Sequence, residues 1–377
     1  MQIRAIAWLL AAALAVGLPA AGGAQPKAAT GTPYKIGLTY PLTGPFATNA
    51  QTYIPAIDLA VADVNKRGGV NGHPLQIVAE DTAGTPAGGV EAMRKVVQVD
   101  GVQAVMTIYT NVVEAQIPLA DQLHVPALSP AETPGLLDKA QYSFAHSSRL
   151  GDELSFVGKY FKQSGVKRVY AFWSNNAMGQ IASPYERKVV EGYGGAFNDA
   201  LVNLTDTDFR GIAERARAFN PQFIIVNLQG ALVETTLIKQ LREAGITTPI
   251  IDPAVFYAAK YWREGVGPYA EGLYFAGITV DPAVGKDFIH QYYVKTGASP
   301  DYVCGEVWDM VHILAAGMAK VGYDGPKLRD YLATLKDFPT VFGGTVSMEA
   351  DHRTKFHRIG LYQVRHGKLA LITSEAQ

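Results

Sequence analysis

The chain has one cysteine, Cys304, in 377 residues. No intramolecular disulfide can form, so the fold must rest on burial. A lone thiol near aromatic residues reads as a small core residue rather than a nucleophile. Charge of one sign is also missing, since 33 Lys and Arg stand against 34 Asp and Glu with no long run of either. That balance gives nucleic acid and anionic membrane surfaces nothing to hold.

Catalytic motifs are lacking too. No glycine-rich dinucleotide loop or P-loop follows a strand, no Gly-x-Ser-x-Gly elbow occurs, and the eight histidines form no His-Glu-x-x-His. His352 and His357, five apart in a charged segment, read as a solvated loop rather than a metal site. The chain is expected to be no enzyme and to need no metal or cofactor.

Long apolar runs are absent beyond the first residues, MQIRAIAWLLAAALAVGLPAAGGAQ. There, Arg4, the apolar stretch Ala5 to Leu18 and the small residues Gly22 and Ala24 make the three parts of a secretory signal. The run falls short of the ~20 apolar residues of a membrane span. Cleavage near Ala24 and residence in the periplasm are expected, with a retained membrane helix as the alternative. Residues 25–33 read as a linker.

What is present is a repeating pattern. Hydrophobic residues make up 48% and charged residues 18%, enough apolar material for two cores. Tyr34 to Thr39 reads as a strand and Pro41, Gly44 and Pro45 as a turn. Ile54, Ile57, Val61 and Val64 then mark a helix that stops at Gly68 and Gly69. The unit recurs through Leu75 to Asp81, VQAVMTIY and VPALS. Tyr142 to Glu153 breaks the rhythm, and a second series follows in VKRVYAFW, AFNDALV, PQFIIVNL, TTPIID and EGLYFAGITV. A late strand, Phe356 to Val364, pairs with HGKLALI through a turn at His366 and Gly367. Strands alternating with helices predict an α/β fold with parallel sheets.

The stretch from Val105 to Pro134 carries the strongest binding signal. Two short strands end in polar turns, which brings Thr110 and the SPAET turn to one sheet edge, where open α/β sheets bind small ligands. Thr133 reads as the N-cap of a helix starting at Pro134, whose free amides and dipole favour an anion. The alternative is that Thr133 only caps that helix. Among the aromatics near turns, Tyr109, Trp173, Phe256, Tyr257, Tyr302 and Trp308, most read as packing, while Tyr109 beside Thr110 is placed to face a ligand.

YPLTGPFA, VADVNKRGGVNGHPLQIVAED, VPALSPAETP and DTDFRGIAERA together resemble the leucine/isoleucine/valine-binding family of periplasmic solute-binding proteins that feed ABC transporters. The resemblance covers essentially the whole mature chain. It implies the type I periplasmic binding fold, two doubly wound parallel-sheet lobes joined by a three-stranded hinge, closing on a ligand in the cleft. Residues 34–149 and 278–357 would form lobe one, and 150–277 and 358–377 lobe two. It also implies a monomer that delivers a small carboxylate to a membrane permease. In that family a Ser or Thr hydroxyl and a Pro-Ala-x-Thr turn hold the carboxylate, positions matched here by Thr110, Ala131 and Thr133. Other ligand contacts map to Asn49, Tyr109, Met178, Gln229 and Tyr302.

One position departs from the family pattern. Amino-acid binders carry Pro-Glu where this chain has Pro253 followed by Ala254, so the acid that pairs with a ligand ammonium is missing. A buried ammonium without a carboxylate costs several kcal/mol. Unless Asp252 or Glu132 replaces that acid, the expected ligand is an aromatic or other hydrophobic carboxylic acid without an α-ammonium. The alternatives are a branched-chain or other hydrophobic amino acid, and a role as an exported sensor.

Overall fold

The computed structural model describes residues 29–130, 133, 135–254, 260–356 and 358–376. The expected signal segment, Ala131, Glu132, Pro134, Phe256, Tyr257 and His357 lie outside the described residues.

The first series forms β1 (Tyr34–Tyr40), α1 (Ala47–Lys66), β2 (Leu75–Asp81), α2 (Pro86–Arg94), β3 (Val105–Thr107), α3 (Thr110–Leu123), β4 (Ala127–Ser129) and β5 (Ser143–Ala145). Its sheet is wholly parallel, in the order β2-β1-β3-β4-β5. Ile36, Leu38 and Met106 are fully buried, as strands covered on both faces require.

The second series forms α4 (Leu150–Gln163), β6 (Arg168–Ser174), α5 (Ala177–Gly192), β7 (Ala196–Val202), α6 (Arg210–Phe219), β8 (Phe223–Asn227), α7 (Ala231–Glu243), β9 (Ile250–Asp252), α8 (Lys260–Val266) and β10 (Tyr274–Gly277). Gly245, at φ +79°, follows α7 and lets the chain leave the helix in the left-handed region. The chain then builds α9 (Lys286–Thr296), α10 (Tyr302–Val321), α11 (Gly325–Ala333), β11 (Phe338–Pro339) and β12 (Thr345–Val346), and ends in β13 (Arg358–Arg365) and β14 (Lys368–Ala376). Helices α9 and α10 pack on α1.

The second sheet runs β14-β13-β10-β9-β8-β6-β7. It is parallel from β7 to β10, and the expected terminal hairpin adds two antiparallel strands. His366 (φ +52°) and Gly367 (φ +68°) make its two-residue turn, both left-handed as a tight hairpin demands. The chain passes between the sheets three times, after β5, after β10 and before β13.

Tyr142 to Glu153 does separate the two series, and it also contains β5 and the start of α4. One expectation is corrected, that of a helix after Thr133, where residues 135–139 form turns instead. Gly135 is left-handed at φ +74°, and Leu137 and Gly135 carbonyls accept from amides three residues on, at 3.0 and 3.4 Å. Thr133 therefore caps no regular helix. The helix with a usable N-terminus is α3, which begins at Thr110 itself.

Candidate ligand-binding cleft

Strand order reverses beside β1 and β3 in one sheet and beside β6 and β8 in the other. Ligands of open α/β sheets sit beyond the strand ends at such switch points. Thr110 and Tyr109 follow β3, Thr133 follows β4, Met178 follows β6, Gln229 follows β8 and Ala254 follows β9. Asn49 lies in the first turn of α1 and Tyr302 in that of α10.

The loop between β1 and α1 is fixed by Asp81. Its carboxylate accepts from the amides of Leu42 and Ala83, both at 2.8 Å, and from the Thr43 hydroxyl at 2.6 Å. That clamp positions Phe46 and Asn49. Phe46 stacks on Tyr109 with ring centroids 4.1 Å apart. One face of the Tyr109 ring is thus already covered. Burial pushes its hydroxyl well above the usual phenol range. Tyr109 holds φ +70°, a conformation that costs a bulky residue about 1–3 kcal/mol.

That turn aims Thr110 at Thr133. Their hydroxyl oxygens lie 2.6 Å apart, and both residues are buried. Thr110 opens a 14-residue helix, whose Val112 and Val113 amides already donate to the Tyr109 carbonyl at 3.0 and 2.9 Å. Two hydroxyls beside a helix start are groups that can hold an anion. Asn111 ties the same turn to the Gly84 carbonyl at 2.8 Å. From the opposite side, the buried guanidinium of Arg353 donates to the Thr133 carbonyl.

The facing lobe meets α1 directly. Asn49 Nδ2 donates to the Gln229 carbonyl at 3.0 Å, and Asn176 Nδ2 donates to Gln229 Oε1 at 3.2 Å. Asn176 also caps α5 through the Gly179 amide at 3.2 Å. Gln229 is held at φ +60°. Met178 is fully buried in the second lobe's core, among residues that include Trp173. Trp308 lies away from these strand ends, packed on Phe288 and His312.

Two buried acids, Asp252 and Glu234, lie at the strand ends around Ala254. Ala254 is 1% exposed. Asp252 Oδ1 accepts from Asn227 Nδ2 at 3.2 Å, and the buried Glu234 lies beside it. Glu234 in turn accepts from the Trp262 indole at 2.7 Å and the Leu228 amide at 2.9 Å. Burial pushes Glu234 up to about 7. On the first lobe, Asp301 caps α10 through the Cys304 amide at 2.8 Å, and burial pushes it up to about 6. Tyr302 is buried beside it.

Two other sequence expectations meet the structure here. Cys304 is a core residue, and burial raises its thiol well above the usual range. His352 lies in a loop as expected, half-buried, with its ring stacked on Phe144 at 4.5 Å. Among the described residues no cluster of His, Cys, Asp and Glu could hold a metal.

The sequence reading missed Phe46, Asn176 and Arg353. Asn176 had a local signal, an Asn three residues before a glycine at a helix start. Arg353 had none, because its partner lies 220 residues away.

A family profile described as periplasmic binding protein matches residues 33–368. The chain belongs to that family. The fold agrees with the type I periplasmic binding proteins whose two lobes flank a cleft. Among relatives of this family, Leu/Ile/Val-binding protein homolog 3 of Brucella melitensis is 26% identical over 298 residues, covering 76% of this chain and 79% of the relative. The branched-chain amino acid binding protein LivJ of Streptococcus pneumoniae, solved with isoleucine, superposes with TM-score 0.81 at 22% identity, covering 92% of this chain and 99% of LivJ. An ABC transporter solute-binding protein of Rhodopseudomonas palustris, solved with benzoate, gives TM-score 0.80 at 20% identity, covering 91% and 96%. At these identities the two structures speak to the fold alone.

Proposed function

We propose that this chain is the periplasmic substrate-binding component of an ABC transporter, exported by a cleaved signal and delivering a small carboxylate to a membrane permease. Its lobes would be residues 34–149 with 278–357, and 150–277 with 358–377. The carboxylate sits at the α3 N-terminus, on the Thr110 and Thr133 hydroxyls and the Ala131 amide. Asn49, Tyr109, Met178, Gln229, Ala254 and Tyr302 surround the remainder of the ligand.

The ligand is an aromatic or hydrophobic carboxylic acid without an α-ammonium. One observation carries this choice: Ala254 brings no carboxylate, and the nearby Asp252 is buried, with one oxygen on Asn227 and a second buried acid, Glu234, beside it. The fold itself takes either ligand class, since its neighbours include one solved with benzoate and one with isoleucine.

A second reading, binding of a branched-chain amino acid, is favoured by the relatives named for leucine, isoleucine and valine. Under it, the buried carboxylate of Asp301 beside Tyr302 would answer the ammonium. A thermal-shift screen of benzoates, phenylpropenoates, aliphatic acids and amino acids separates the two, because a ligand of the folded state raises Tm by mass action. Larger shifts with benzoates are expected. Leucine or valine outranking every aromatic acid would overturn the choice of ligand class.

A further inference from the structure

Arg353 is an arginine at 5% exposure, and its Nη2 donates to the Thr133 carbonyl. The hydroxyl of that same threonine lies 2.6 Å from Thr110. Burying a guanidinium costs free energy that only firm hydrogen bonding offsets.

The main chain around Arg353 is held just as firmly. Ala145 N donates to the His352 carbonyl at 2.8 Å, and Thr354 N donates to the Ala145 carbonyl at 2.9 Å, which extends the first sheet past β5. The Arg353 carbonyl accepts from Arg149 Nη2 at 3.3 Å. Arg149 also reaches Glu349 at 3.2 Å and Asp351 at 3.1 Å, and it immediately precedes α4 of the second lobe. A segment of six residues, 349–354, thus touches the Thr133 turn through Arg353 and the first crossing through the Arg353 carbonyl and the Glu349 and Asp351 carboxylates.

We propose that Arg353 is a positioning residue for the carboxylate site, fixing the Thr133 turn against Thr110 and tying that turn to the crossing at Arg149. The proposal rests on the reading of Thr110 and Thr133 as the carboxylate's partners. Its role is specific for the charged end of the ligand. Truncation to an apolar side chain of similar length should therefore cost an acid far more than the corresponding neutral amide.

The test measures Kd by calorimetry for benzoate and benzamide, and for leucine and leucinamide, on the full mature chain. Arg353→Met is expected to weaken the bound acid about tenfold or more while changing its amide by less than about twofold. Combined with Thr133→Ala it should lose little beyond the worse single variant, because the two residues act as one unit. Equal losses for acid and amide, or fully additive losses in the double variant, would reduce Arg353 to a structural role and overturn the proposal. If Arg353→Met does not fold, Arg353→Lys, which keeps charge and donor, should hold the acid more tightly than Arg353→Gln; equal affinities overturn the proposal. A parent protein that binds leucine and not benzoate refutes only the ligand class, and the comparison is then read with leucine. One that binds neither acid refutes the carboxylate site and Arg353's role together.

Discussion

Asn49 on α1 and Gln229 after β8 are hydrogen-bonded to each other across the cleft, at 3.0 Å. The two positions that the family resemblance assigns to the ligand therefore also hold the lobes together. A single neutral hydrogen bond contributes about 1 kcal/mol, roughly a fivefold change in the ratio of closed to open forms. Asn49→Ala should shift the ligand-free protein towards the open form, seen as a larger radius of gyration by small-angle scattering. An unchanged radius would mean that closure does not depend on this contact.

Thr110→Ala and Thr133→Ala should each weaken carboxylate binding by roughly tenfold to a hundredfold, the range for one hydrogen bond to a charged group. Calorimetry with the acid found by the ligand screen measures it. Since both hydroxyls are buried, the melting temperature of each ligand-free variant is needed alongside. Unchanged affinities in folded variants would place the carboxylate elsewhere.

Ala254→Glu should restore the acid that amino-acid binders carry. The expected result is a leucine-induced thermal shift larger than the parent's, with a smaller shift for benzoate, whose carboxylate the new charge opposes. A variant that responds to both ligands as the parent does would remove the basis for reading Ala254 as a specificity position.

Glu186 sets a pH dependence unrelated to the ligand. It is buried on α5, accepts from the Trp173 indole at 2.8 Å, and burial pushes it up to about 8. An acid whose pKa is raised by folding stays protonated in the native state while the unfolded chain ionises. The unfolded state then binds fewer protons, so stability falls as pH rises from the ordinary glutamate range to about 8. Glu186→Gln should flatten that slope, gaining stability relative to the parent at pH 8 compared with pH 5 in urea denaturation. Parallel pH profiles would show that Glu186 ionises freely in the folded protein.

The order of strands and helices was legible in the sequence because apolar runs of strand length alternate with helical spacing, as in Ile36 to Leu38 followed by Ile54 to Val64. The nearness of Thr110 and Thr133 was legible for the same reason, since both follow adjacent parallel strands. The element after Thr133 was misread. Pro134 suits a helix start, but Gly135 takes the left-handed region one residue later and the segment closes into turns. The error assigned the helix dipole to Thr133, whereas the helix start lies at Thr110. Contacts made only by tertiary placement left no local trace. Asn49 with Gln229 is a separation of 180 residues and Arg353 with Thr133 one of 220, and neither pair shows in any periodicity.

Cys304 is the only thiol in the sequence, and it is buried with its pKa raised. Thiol-reactive dyes attack the exposed thiolate, so the native cysteine should stay silent during labelling. Leu232, 82% exposed in the first turn of α7, offers a place for a second cysteine on the other lobe. A fluorophore attached at Leu232→Cys would be the sole label on a protein of two lobes. Its emission could then report ligand concentration directly, without any native residue having to be removed first.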